Sequence, residues 1–102
     1  MKIFIEILGT KGCHLCDEAK RVVEQVEAVV SSQGYTLAVT DIDIADDADL
    51  FSRYGEKIPV LRLSEQTALM HAIATDKELN WPFDAHGLFN YLTVQLNSSK
   101  LQ

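Results

Sequence analysis

Residues 2–16, KIFIEILGTKGCHLC, decide the fold of this chain. Residues 2–8 are rich in β-branched side chains and largely apolar on both faces, a pattern typical of a strand at the centre of a sheet. Residues 9–12 form a loop, and residues 17–30 have apolar positions at helical spacing. The chain's two cysteines lie where the strand leads into the helix. A Cys-x-x-Cys at such a junction predicts thiol–disulfide chemistry.

The chemical reason lies at the N-terminus of the helix. Its first backbone N–H groups lack partners within the helix, and the helix dipole adds partial positive charge there. Both effects stabilise a thiolate at Cys13, so we expect its pKa to lie below the free value of about 8.5. Cys16, one helical turn further on, is then placed to attack a mixed disulfide formed at Cys13 and to release the substrate.

Length and composition restrict the class of protein. The chain has 102 residues, which we interpret as a single domain over residues 1–102, and 47% of them are apolar. Its formal net charge of -6 argues against a nucleic-acid partner, because the phosphates would be repelled. No apolar run is long enough to span a membrane, and the N-terminus does not resemble a signal peptide. We therefore expect a cytoplasmic protein, where a single cysteine pair is more often catalytic than structural.

The middle of the chain predicts further elements in a regular order. The first helix ends at Gly34, and residues 36–44 alternate as a second strand, which the helical connection makes parallel to the first. An acidic first turn beginning at Asp46 starts a short helix that ends at Gly55. The apolar stripe of the first helix consists of Cys16, Ala19, Val22, Val23, Val26, Val29 and Val30.

The last third of the chain predicts a hairpin and a helix. Two strand-like runs, residues 58–63 and 67–73, flank three polar residues and predict a β-hairpin, followed by a loop over residues 74–81. Asp84 is a suitable N-cap for the last helix. The apolar face of that helix comprises Leu88, Phe89, Leu92 and Leu96.

The resulting order, β-α-β-α-β-β-α with Pro59 opening the third strand, resembles the thioredoxin superfamily. The shortness of the chain and the strand directly before the cysteines resemble its glutaredoxin branch, and residues 11–16 and 79–84 look closest to a family of small glutaredoxin-like proteins. The resemblance implies an α/β thioredoxin fold with a central four-stranded mixed sheet flanked by helices. It also implies a cis Ile58–Pro59 bond beside the cysteines, which would leave the Ile58 backbone free to pair with an extended substrate segment.

Glutaredoxins that this chain resembles hold glutathione through three elements: a lysine just before the cysteines, the backbone before the cis proline, and a Gly-Gly pair with a nearby Asp. Lys11 and Ile58–Pro59 match the first two. The third is absent, because Ala74-Thr75-Asp76 has no glycine pair that would let a ligand approach the backbone closely. Lys57 and Arg53 are either alternative partners for a carboxylate or solvated surface charges. We expect no tightly bound cofactor and leave glutathione open as a co-substrate.

Other residues near these motifs have two interpretations each. His14 replaces the residues commonest after the first cysteine in the superfamily. Transiently protonated, it would stabilise a nearby thiolate and make the disulfide more oxidising; alternatively it only fills the loop. Trp81-Pro82-Phe83 is either a docking patch or, as we favour, a segment that packs against the sheet. Asp41 and Asp43 end the second strand, and we assign them no role in proton transfer.

Together these residues predict a monomeric thiol–disulfide oxidoreductase with Cys13 as nucleophile and Cys16 as resolving thiol. Its partners would be disulfide-bearing proteins and a thiol reductant, either glutathione or a thioredoxin-reductase-type system. Two alternatives remain open: a metal or iron–sulfur carrier that uses the same cysteines, and a redox-inactive binding module with the same fold. A structural zinc site is disfavoured and no metal is expected, because His14, His71 and His86 are scattered and a second ligand pair is missing.

Overall fold

The computed structural model describes residues 2–64 and 78–98. Along these ranges the elements are β1 (Lys2–Gly9), α1 (His14–Ser31), β2 (Thr36–Asp43), a 3-10 turn (Ile44–Asp46), α2 (Ala48–Tyr54), β3 (Val60–Leu63), β4 (Glu78–Asn80) and α3 (Ala85–Ser98). Their order agrees with the predicted β-α-β-α-β-β-α. None of the helices within these ranges combines the length and apolar character that crossing a membrane requires.

The strands form one mixed sheet in the order β2-β1-β3-β4. β2 runs parallel to β1, and the carboxyl ends of the two strands meet where Gly9 lies opposite Asp43. β3 runs antiparallel to β1, with Val60 opposite Leu8, and β4 is antiparallel to β3. β1 is therefore flanked on both sides, which confirms its predicted central place. The cysteine loop follows at the carboxyl end of this central strand.

One face of the sheet, which we call the α1 face, carries the main core. Ile3, Ile5 and Ile7 of β1 point to it and are almost completely buried. They pack with valines of α1 and with Leu88 and Leu92 of α3. The strand's period of two and the apolar stripe of α1 meet across this face. Burial against the sheet therefore stabilises a helix whose many valines give it only modest intrinsic propensity.

α1 differs from its prediction in two respects. Val29 belongs to the predicted stripe but is 51% exposed, because it lies at the edge of the stripe, about 80° from its centre at 100° per residue. The helix ends at Ser31 with Ser32 as C-cap, so Gly34 comes two residues after the cap rather than at the helix end. Gly34 has a left-handed backbone, φ 89°, and turns the chain toward β2.

The opposite face of the sheet, which we call the α2 face, is smaller and partly polar. Charged side chains run across three strands of it. Arg62 Nε donates to Glu6 Oε1 at 2.7 Å, and the Tyr54 hydroxyl donates to the carboxylate of Glu78. The buried cluster of this face consists of Leu8, Ile44, Tyr54 and Val60.

The predicted cap of the last helix, Asp84, is confirmed, whereas α2 begins at Ala48, two residues after the predicted start at Asp46, because Asp47 is its N-cap. At α2, Oδ1 of Asp47 accepts hydrogen bonds from the N–H groups of Asp49 at 2.9 Å and Leu50 at 3.1 Å. At α3, Oδ1 of Asp84 accepts from the N–H of Gly87 at 2.7 Å. Both aspartates thereby satisfy donors that the first helical turn leaves without intrahelical partners.

The predicted hairpin is only partly right. The strand that pairs with β3 is β4 (Glu78–Asn80), which falls inside the predicted loop over residues 74–81. β4 contains one apolar residue, Leu79, so its sequence gives no strand signal and its pairing with β3 makes it a strand. The predicted second strand at residues 67–73 lies outside the described residues, as does the side chain of Leu96.

Candidate active site

The loop after β1 delivers Cys13 to the start of α1. Gly12 has a left-handed backbone, φ 77°, and Cys13 then adopts an extended conformation as the N-cap of the helix. The Cys16 N–H donates to Cys13 Sγ at 3.1 Å. The sulfur of Cys13 thus occupies the place where a serine or aspartate oxygen commonly caps a helix. It lies at the positive end of the helix dipole.

The two cysteines form a disulfide, with their Cα atoms 5.2 Å apart. Their exposure differs: Cys16 is 6% exposed, whereas Cys13 is half-buried. An incoming sulfur reaches Cys13 more easily than Cys16. The two cysteines therefore differ in how easily an outside thiol or disulfide can reach them, although only three positions separate them in the chain.

The residues around Cys13 are open to solvent. Lys11 precedes it on the loop, and His14 and Leu15 follow it in the first turn of α1; all three are exposed. A substrate that approaches the half-buried sulfur therefore meets a cation, an imidazole and an apolar side chain. Leu15 is a large exposed apolar side chain and offers contact area without a hydroxyl.

The proline predicted from the resemblance lies at the same end of the sheet. The Ile58–Pro59 bond is cis, as the resemblance implies. Because Val60 pairs with Leu8, Pro59 comes level with the end of β1, on the β3 side. The expectation for the Ile58 backbone needs a correction, since its N–H donates to the Tyr54 carbonyl at 3.2 Å. That carbonyl, at the end of α2, is one of the groups that a helix leaves without intrahelical donors. Of the two backbone groups of Ile58, the carbonyl oxygen is therefore the one without a hydrogen-bond partner among the described residues.

Trp81-Pro82-Phe83 supports the proline segment from the other side. Trp81–Pro82 is a second cis bond, which the sequence does not predict. The Trp81 N–H donates to the Pro59 carbonyl at 3.3 Å, and its ring meets that of Phe83 edge to face with centroids 5.1 Å apart. Phe83 in turn packs against the core of the α1 face. These contacts favour the packing interpretation over the docking patch.

A groove of about 310 Å³ opens on the β2 side of the cysteines. Lys20 Nζ lies 2.9 Å from Asp41 Oδ2 within it, and this hydrogen bond raises the pKa of Lys20 above its usual value. Lys20 is not among the residues predicted from the sequence. A sequence signal for this groove exists in the predicted parallel pairing of β1 and β2, because the carboxyl ends of parallel neighbours meet at one edge of the sheet. That pairing brings Asp41 to the end of β1, within reach of Lys20 on α1. The charged residues that line the groove are Lys11, Asp17, Lys20, Asp41 and Asp43.

The remaining candidate residues are not brought to the cysteines. Arg53 forms an exposed ion pair within α2, and Lys57 is exposed; neither lines the groove. His86 is exposed at the start of α3, while His71 and residues 74–76 lie outside the described residues. Within residues 2–64 and 78–98, no three His, Cys, Asp or Glu side chains are grouped so that they could hold a metal ion.

Fold and site together define a thioredoxin-fold protein with a Cys-x-x-Cys pair at the N-terminus of its first helix. Residues 4–93 match the family model of the Glutaredoxin-like domain (DUF836), and the chain belongs to this family. A glutaredoxin-like protein from Dictyostelium discoideum is 28% identical over 76 residues, which make up 74% of this chain and 70% of that protein.

Solved structures have the same fold. The X-ray structure of the structural genomics target XcR50 from X. campestris is similar with a TM-score of 0.66 and 33% identity, over 88% of this chain and 96% of that one. Thioredoxin 1 from Thermosipho africanus has a TM-score of 0.54 and 16% identity, over 98% and 99% of the two chains. The second likeness shows the fold alone. Family, fold and cysteine pair together support a redox type of function.

Proposed function

We propose that this protein is a thiol–disulfide oxidoreductase with a dithiol mechanism. The Cys13 thiolate attacks a substrate disulfide, forms a mixed disulfide, and releases the first substrate thiolate, which takes up a proton. Cys16 then loses its proton and attacks the sulfur of Cys13, releasing the second substrate thiolate. Two electrons pass from the cysteine pair to the substrate. An external thiol reductant returns two electrons and two protons to regenerate the dithiol.

The observation that carries the proposal is the difference between the two sulfurs. Cys13 is half-buried, and its Sγ accepts the Cys16 N–H at the start of α1, an environment that stabilises a thiolate. Cys16 is almost fully buried and is bonded to Cys13. Attack at Cys13 followed by resolution from Cys16 is the order that this difference favours.

We propose that the substrates are disulfide-bearing proteins. We also propose that the enzyme is a monomer and acts in the cytoplasm. The Ile58 carbonyl oxygen, which has no hydrogen-bond partner among the described residues, is the group that we propose for pairing with a substrate backbone. Lys11 is exposed beside Cys13 and suits the carboxylate of a thiol peptide such as glutathione. We propose no tightly bound cofactor. His14, exposed next to Cys13, is proposed to tune the thiolate when protonated.

Two cysteine variants test the proposal. With a peptide that carries one disulfide, Cys13→Ser should abolish turnover, because the attacking sulfur is gone. Cys16→Ser should form the mixed disulfide and then stop, and mass spectrometry should show the trapped adduct. Val29→Ser, an exposed change on the same helix away from the sulfurs, should keep wild-type turnover.

The reduction potential of the wild-type pair completes the test. A midpoint between about -200 and -270 mV would place it among cytoplasmic disulfide reductases. Equal loss of turnover in both cysteine variants with no adduct would contradict the assigned roles. A pair that forms no disulfide, together with visible absorbance after anaerobic purification, would instead identify a metal or iron–sulfur carrier. A pair that forms no disulfide and gives no absorbance would leave a redox-inactive binding module.

A further inference from the structure

Gly9, the last residue of β1, lies directly against the sulfur of Cys16. A Cβ atom built on Gly9 would be 2.6 Å from Cys16 Sγ and 3.4 Å from Cys16 Cβ. The first distance is far shorter than any ordinary contact between carbon and sulfur. Gly12 and Gly34 are the described glycines with a positive φ, and neither has an atom within 4 Å of such a Cβ. At position 9 a glycine is therefore needed because a side chain would collide with Cys16. At positions 12 and 34 a glycine is favoured because the backbone is left-handed.

The sulfur of Cys16 has little freedom to yield while the disulfide exists. It is bonded to Cys13, and the side chain is 6% exposed. The Cys16 backbone is fixed within α1, and its N–H donates to Cys13 Sγ. A helical residue has two accessible χ1 wells, because the third meets the preceding turn. In the dithiol the covalent bond is gone, so Cys16 Sγ can rotate to the second well and relieve a contact from residue 9.

We propose that Gly9 is a positioning residue for Cys16, and that its missing Cβ favours the Cys13–Cys16 disulfide over the dithiol. The inference rests on the proposed function for its biological meaning, because that function cycles the pair between the two states. A methyl group at position 9 crowds the disulfide more than the dithiol. The oxidised enzyme should therefore become easier to reduce, and the resolving attack by Cys16 should become slower.

The experiment measures the redox equilibrium of Gly9→Ala against wild type in buffers of reduced and oxidised dithiothreitol. In the measured exchange, the Cys13–Cys16 bond breaks and accepts two electrons and two protons. The two thiols of dithiothreitol supply them and close into its cyclic disulfide. We expect the equilibrium to shift toward the dithiol by at least about tenfold, which corresponds to about 30 mV for a two-electron couple.

The matched control is Gly34→Ala, which strains a left-handed backbone far from the sulfurs and whose added Cβ has open space around it. It should lower the stability of the fold and leave the redox equilibrium at the wild-type value. Equal equilibria in Gly9→Ala and wild type would overturn the inference while leaving the proposed function intact. A wild-type chain that forms no disulfide would overturn both, so the two failures are distinguishable.

A second measurement identifies the atom responsible. Cys16→Ala removes Sγ and leaves only the 3.4 Å contact with Cβ. Gly9→Ala should therefore destabilise the oxidised wild-type background strongly and the Cys16→Ala background much less, as judged by urea unfolding. This comparison holds even if Gly9→Ala alone folds poorly. Equal destabilisation in both backgrounds would mean that Cys16 Sγ is not the atom that excludes a side chain, and the inference would be wrong.

Discussion

The two faces of the sheet support different halves of the candidate site. The α1 face carries the larger apolar core and holds the helix whose first turn carries the cysteines. The α2 face has a small apolar cluster beside an ion pair, and Tyr54 links it to the proline segment. The Tyr54 carbonyl accepts from the N–H groups of Lys57 at 2.8 Å and Ile58 at 3.2 Å, just before Pro59. The cysteine-bearing helix therefore rests on the larger core, and the proline segment rests on a smaller, partly polar one.

The largest expected effect compares one core residue from each face. Ile5 and Leu8 are both fully buried on β1, Ile5 toward α1 and Leu8 toward α2. We expect Ile5→Ala to lower the free energy of unfolding by about 4 kcal/mol and Leu8→Ala by about 2 kcal/mol. The difference arises because the short α2 can move toward the space left at Leu8, whereas the α1 face is closed by two long helices.

Urea unfolding followed by Trp81 fluorescence measures both values. The m-values should match that of the wild type, so that midpoints report stability alone. A larger loss at Leu8 than at Ile5 would mean that the α2 face is the better packed of the two. The comparison drawn above would then be reversed.

The contrast between the faces was partly visible in the sequence. The alternation of residues 2–8 puts three isoleucines on one side and Phe4, Glu6 and Leu8 on the other, so the polar residue already marks the second face. β1, β2, the cap at Asp84 and the cysteine junction follow from local patterns, and the structure agrees with them. These signals depend only on neighbouring residues in the chain.

Features that depend on distant residues were not predictable in this way. β4 is a strand because β3 pairs with it, and Leu79 alone gives no periodicity. Lys20 joins the groove because β2 brings Asp41 to the same edge. The sequence predicts Gly9 in the loop, yet it ends β1, and its contact with the Cys16 sulfur depends on how α1 packs. In each case a tertiary contact decides what the residue does.

The second prediction compares the pKa of one tyrosine from each face of the sheet. Burial raises the pKa of Tyr91, which packs on the α1 face, to about 12. The hydrogen bond to Glu78 is the main cause that raises the pKa of Tyr54, on the α2 face. Between pH 10 and 12 the folded chain therefore holds more protons on Tyr91 than the unfolded chain, whose tyrosines titrate near pH 10. The stability from this residue is complete below pH 10 and is lost as the pH rises through 12.

Unfolding midpoints measured across this pH range should fall less steeply for Tyr91→Phe than for the wild type. Tyrosinate absorbance separates the two residues. Glu78→Gln should lower the titration midpoint of Tyr54 and change that of Tyr91 much less, because Glu78 is only a minor cause there. Equal shifts in both would show that one electrostatic environment, rather than two distinct faces, governs the tyrosines.

The smallest expected effect concerns two ion pairs. Glu6 and Arg62 lie on the α2 face with side chains 23% and 26% exposed, whereas Lys20 and Asp41 lie in the groove and are 43% and 62% exposed. A double-mutant cycle with Glu6→Gln and Arg62→Met should give a coupling energy of about 1 kcal/mol. The corresponding cycle with Lys20→Met and Asp41→Asn should give at most about 0.5 kcal/mol. The second coupling should disappear in high salt, because exposed charges are screened.

The coupling energy between Lys20 and Asp41 distinguishes two roles for the charged residues of the groove. Under the proposed function, a weak coupling would mean that Lys20 and Asp41 exchange partners at little cost, so that charged groups of a substrate at Cys13 could engage either of them. A coupling as strong as that of Glu6 and Arg62, and equally resistant to salt, would make the pair a structural clamp between α1 and β2. Substrate selection would then fall to Lys11 and the proline side, and the groove would contribute shape rather than charge.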